Sequence, residues 1–170
     1  MGSGRRHGLK NNILIGRWDV VRTMLLRSSV QERVRTKRYK YYNKQTNVTE
    51  SGLTALHLLA VTKSRIVVPI DIIQQIKRIA PTLTTTTSRP NNEIPLHYFL
   101  TKKKEQQESR RRGIWGWNSS KHSNHIDCRH YDNDMVWELT GYGCGIMVTS
   151  NTGDTPLHIA CKFNFTVWNY

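Results

Sequence analysis

Thr155-Pro156-Leu157-His158-Ile159-Ala160-Cys161-Lys162 is the stretch whose reading decides the fold of this 170-residue chain. Two further octets share its design: Thr54-Ala55-Leu56-His57-Leu58-Leu59-Ala60-Val61 and Ile94-Pro95-Leu96-His97-Tyr98-Phe99-Leu100-Thr101. A turn signal precedes each, Ser51-Gly52, Asn91-Asn92 or Thr152-Gly153. The pattern describes a helix start. Thr offers an oxygen to backbone N–H groups that have no helical partner, Pro at the first position loses a donor that was unpaired anyway, and Leu opens the buried stripe. Leu56, Leu96 and Leu157 are therefore expected in equivalent places of successive helical hairpins.

Each hairpin needs a second helix, apolar at helical spacing. Ile70, Ile72, Ile73, Ile76 and Ile79 fit one, with Asp71, Gln74, Gln75, Lys77 and Arg78 interleaved and Pro81 closing the run. Met135, Val136 and Leu139 fit another, with Asp134 expected to cap it and the glycines of Gly141 to Gly145 to end it. Residues 16–26 read as the second helix of an earlier unit whose first helix is degraded or absent.

A T-P-L-H-x-A opening of the first of two antiparallel helices resembles the ankyrin repeat, and residues 155–160 match it at every fixed position. Ala55 stands where that family has Pro, Ile94 where it has the capping Thr, and Leu59 and Phe99 where it has a small Ala. The histidines lie 40 and 61 residues apart, against a family period of about 33. The Thr-rich stretch 82–89 and a basic insertion, 105–131, take up the excess, because packed helices cannot absorb extra residues without losing register. The resemblance implies an all-α fold, an ankyrin-type helix-turn-helix solenoid with irregular loops. Its units would cover about 51–81, 91–140 and an incomplete 151–170, behind a basic N-terminal segment, 1–48. The apolar Phe163, Phe165, Val167, Trp168 and Tyr170 are no polar cap, so further chain or a second subunit is expected to cover that end. The oligomeric state stays open.

Charge is concentrated. The whole chain carries 26 Lys+Arg against 12 Asp+Glu, a net +14. Residues 1–48 hold +10, residues 102–131 hold +5 and the remainder −1. No run approaches the roughly 18 apolar residues of a membrane span, and the N-terminus lacks a secretory apolar core and a myristoylation pattern. An Arg-rich organelle presequence stays open. Three cysteines, Cys128, Cys144 and Cys161, form no C-x-x-C pair, which fits a reducing cytosol or nucleus.

Because His57, His97 and His158 share one repeat position, a structural hydrogen bond explains them better than catalysis does. His122, His125, Cys128 and His130 are possible zinc ligands at a spacing that matches no familiar finger, so no metal or other cofactor is expected. Trp115 and Trp117 would point the same way on an extended segment, as partner anchors or folded back onto the repeats. Lys102, Lys103, Lys104, Arg110, Arg111 and Arg112 are the nucleic-acid candidates, together with Arg33, Arg35, Lys37, Arg38 and Lys40 beside Tyr39, Tyr41 and Tyr42. Nucleotide-binding, hydrolase and metalloprotease motifs are all missing.

The resemblance implies a non-catalytic scaffold or adaptor that binds another protein. Carrying the family's variable positions across gives Leu53 and Thr62 in the first unit, and Glu93, Thr101 and Lys102 in the second. Asn151, Thr152, Asp154, Lys162 and Phe163 follow in the third. Nucleic-acid binding through the basic segments is the alternative.

Overall fold

The computed structural model describes residues 8–43, 47–62, 66–103, 128–140 and 144–162. Three short helices come first: α1 (Leu9–Ile15), α2 (Trp18–Leu25) and α3 (Ser28–Thr36). Strands β1 (Tyr39–Asn43) and β2 (Val48–Leu53) follow, then α4 (Ala55–Ala60), α5 (Ile70–Ile79) and a 3-10 turn (Pro81–Thr84). Helix α6 spans 95–103. Helix α7 (Cys128–Thr140), a second 3-10 turn (Cys144–Met147) and α8 (Pro156–Lys162) complete the described chain.

The expectation of an all-α solenoid is corrected. Strands β1 and β2 pair antiparallel, with Tyr39 opposite Leu53, Tyr41 opposite Glu50 and Tyr42 opposite Thr49, so the architecture is mixed α and β. Tyr39, Tyr41, Tyr42, Val48 and Thr49 are strand-favouring residues, and alternation places Tyr39 inside while Lys40 faces out. Their basic neighbours had suggested a solvated or nucleic-acid-binding segment instead. The hairpin also runs through the expected boundary at residue 48, joining the N-terminal segment to the rest.

In that segment a seven-residue helix, α1, precedes the helix expected at residues 16–26. Gly16, at φ 74°, closes α1 in the left-handed conformation, and its N–H and that of Arg17 bond to Ile13 and Asn12 carbonyls. A Cβ on Gly16 would meet Ile66 Cγ2 at 2.7 Å, so the close approach also requires glycine.

Helix α2 packs on α3 and α5, and α1 on α2 and α4; α5 also meets α3, α4 and α7. Ile72, Ile73 and Ile76 are fully buried at the centre of this contact, as their spacing predicts. Each contributes roughly 1.5–3 kcal/mol by leaving water. Met135, Val136 and Leu139 bury the facing side of α7. Asp134 lies inside α7 and not at its cap, because the helix starts at Cys128, within the expected insertion loop. No helix among the described residues is long and apolar enough to cross a membrane.

A polar contact fixes α7 on α5. Lys77 Nζ lies 2.6 Å from Glu138 Oε2 and Gln74 Nε2 donates to Oε1 at 2.8 Å. Burial raises the Glu138 pKa, but the Lys77 and Gln74 hydrogen bonds outweigh it and hold the carboxyl below its ordinary value. With both side chains less than one-fifth exposed, Glu138→Ala is expected to cost about 1–3 kcal/mol. Chemical denaturation of the two proteins at neutral pH checks this.

Candidate functional site

The three signature histidines share one geometry. The N–H of Thr54 donates to His57 Nδ1 at 3.1 Å, that of Ile94 to His97 Nδ1 at 3.2 Å, and that of Thr155 to His158 Nδ1 at 3.1 Å. Because Nδ1 accepts, the proton of the neutral ring sits on Nε2. From there His57 donates to the Glu93 carbonyl at 2.9 Å and His97 to the Asp154 carbonyl at 3.1 Å. Glu93 and Asp154 immediately precede the next octets, so each ring ties its own helix start to the following one. His158 is exposed, and among the described residues its ring bonds only to Thr155.

A backbone ladder runs beside these rings. Ser51 and Arg89 exchange N–H···O bonds of 2.9 and 2.8 Å, and Asn151 N–H donates to the Asn91 carbonyl at 2.9 Å. Asn92 Nδ2 reaches the Thr149 carbonyl at 3.1 Å, and Asn151 Nδ2 the Pro90 carbonyl. The three turns that precede the octets are thereby linked in sequence.

Burial pushes the His57 pKa down to about 4, with Arg38 and His97 lowering it further and the Glu93 carbonyl opposing. His97 is also lowered, by burial, against the Asp154 carbonyl and charge. Both rings are fully buried with both nitrogens engaged, which leaves no free lone pair for a general base. Tyr98 packs edge-on against His57 at 5.1 Å and donates to Ser88 Oγ at 3.0 Å.

No family model, curated protein or solved structure matches this chain. Site residues are therefore judged on geometry alone. Leu53 and Thr62 are corrected as partner-binding candidates, because both are buried. Leu53 sits opposite Tyr39 in the sheet, and Thr62 turns its hydroxyl to the Leu59 carbonyl at 2.8 Å. Glu93, Thr101, Lys102 and Asp154 are half-buried, while Asn151, Thr152 and Lys162 are exposed. Phe163, Lys104, Arg110, Arg111, Arg112, Trp115, Trp117, His122 and His125 lie outside the described residues, as do the side chains of Cys128 and His130. Among the described residues no group of three or more His, Cys, Asp or Glu could hold a metal ion.

The equivalence of the three leucines holds only in part. Leu56 and Leu96 are fully buried, whereas Leu157 is 45% exposed. Trp137 and Met147, at 75% and 76% exposure, were missed as surface candidates. Helical periodicity flags apolar residues as core, and nothing in their spacing sets these two apart.

His57→Ala would orphan the buried Thr54 N–H, take one of two donors from the Glu93 carbonyl, which keeps the Ser88 N–H, and empty the space of a fully buried ring, and is expected to cost about 3 kcal/mol. His158→Ala, at an exposed site, should cost under about 1 kcal/mol. Urea denaturation separates the two. A histidine whose folded pKa is depressed stabilises the protein above its unfolded value. His57 stability is therefore present above pH 6.5 and lost as pH falls toward 4, by roughly 3 kcal/mol in all. Glu93, raised by burial and by Glu50, titrates in the opposite sense, so the acid loss should deepen in Glu93→Gln when followed by pH-dependent thermal unfolding.

Proposed function

We propose that this protein is a non-catalytic scaffold that binds another protein, related to ankyrin-repeat proteins through its three recurring Leu-His helix starts, two of them opened by Thr. The observation that supports this most is the pair of histidine bridges. They hold consecutive turns in fixed register, so that exposed side chains near those turns form one prearranged surface, and prearrangement lowers the ordering cost of association.

At the C-terminal end that surface combines polar and apolar groups. Asn151, Thr152 and Lys162 are exposed alongside Trp137, Met147 and Leu157. The three apolar residues stand on elements in contact, since the 3-10 turn at 144–147 packs on both α7 and α8. Exposed aromatic and apolar side chains with a polar rim are the usual anchors of protein interfaces. A reducing compartment, cytosol or nucleus, suits a chain with three cysteines in no paired motif.

Affinity capture from the source cells with the full chain tests the reading. A Trp137→Ala, Leu157→Asp double variant should retain its unfolding temperature and lose at least about tenfold of the captured partner, as hot-spot truncation does. Recovery of nucleic acid alone, or a partner indifferent to both substitutions, overturns it.

A further inference from the structure

Beside the hairpin, and lined by none of the residues of the surface just described, lies a pocket of about 290 Å³. Its size is near the lower end of small-ligand sites, about 300 Å³. Two kinds of side chain line it. Leu9, Met24, Val30 and Tyr39 supply apolar wall, while Lys10, Arg33, Lys37, Arg38 and Lys40 supply five positive charges. Among the described residues, no acidic side chain lines the pocket and none of the five cations has an ion-pair partner. Other cations nearby are neutralised: Arg22 by Asp19 and Asp71, and Arg35 by Glu32.

Two of the five are already fixed in place. Lys10 Nζ donates to the Lys40 carbonyl at 2.5 Å, which ties α1 to β1. Arg38 Nη1 donates to the Arg35 and Lys37 carbonyls at 3.0 and 3.4 Å, and Nε and Nη2 have no hydrogen-bond partner among the described residues. A guanidinium held this way loses little further freedom when it takes a tetrahedral anion. Five like charges around one small volume repel each other, and a bound polyvalent anion removes that cost.

We propose that this pocket binds a small phosphate monoester carrying a compact apolar or aromatic body. The cations take the phosphate and the apolar wall takes the body. The geometry suits a discrete ligand better than a nucleic-acid strand. Strand binding uses exposed aromatic platforms along a groove, whereas here the aromatic of the pocket wall, Tyr39, is buried with Lys37 Nζ 5.7 Å over its ring, and the exposed Tyr42 is not among the residues that line the pocket.

Isothermal titration of the full chain with phenyl phosphate, inorganic phosphate, phenol and a single-stranded oligonucleotide, at about 0.15 M salt, is the test. Phenyl phosphate should bind at one site, about tenfold or more tighter than inorganic phosphate because its ring is buried as well, and phenol should not bind measurably. Arg33→Gln, an exposed position on the end of α3, should weaken phenyl phosphate about tenfold. Arg78→Gln, an exposed cation on α5, should leave it unchanged. Arg38→Gln should weaken binding further, with circular dichroism confirming the fold. Absence of phenyl phosphate binding, equal effects of the Arg33 and Arg78 substitutions, or oligonucleotide binding that phenyl phosphate cannot displace would each overturn the proposal.

Discussion

The bond from a buried imidazole Nε2–H to the carbonyl just ahead of the next octet is the constraint on which this structure rests. One side of the ring closes its own helix start by accepting an N–H, and the other side reaches the chain that begins the following unit. A neutral histidine accepts at one nitrogen of a rigid ring and donates from the other. Charging the ring destroys the acceptor edge, which together with burial explains why His57 stays neutral. The same chemistry that makes histidine a common catalytic base is spent here on joining elements that are far apart in sequence.

Around that joint the structure divides its labour. Helix α5 carries the apolar weight, meeting α2, α3, α4 and α7, while the half-buried Lys77–Glu138 pair sets α7 against it. The hairpin couples the basic N-terminal helices to the octets through Tyr39, Leu53 and the Ser51–Arg89 exchange. Folding of residues 8–43 is thus bound to folding of the octets, although their composition is so different. Charge concentrated in sequence also becomes charge concentrated in space, since five of the N-terminal cations surround one pocket.

Much of this was written in local pattern. Turn residues, an N-capping Thr, a Pro at the first helical position and an apolar stripe are all short-range signals, so the starts at Ala55, Pro95 and Pro156 and the course of α5 were legible in the amino acids themselves. The recurrence of histidine at one position likewise pointed to a structural hydrogen bond. The strands were not legible in the same way. A Tyr-rich basic run has no single meaning until a second strand supplies its hydrogen bonds and a core covers its alternate side chains.

What only tertiary structure decided concerns which neighbours each side chain meets. The sequence determined that Leu56, Leu96 and Leu157 open helices, but packing alone buried the first two and left the third half in water. It likewise placed Leu53 inside and Trp137 outside. Helix starts and turns are encoded by interactions within a few residues, whereas burial, the partner of each Nε2 and the gathering of cations depend on segments tens of residues away. No local pattern carries that information, because the free energy that fixes it arises only once the distant surfaces touch.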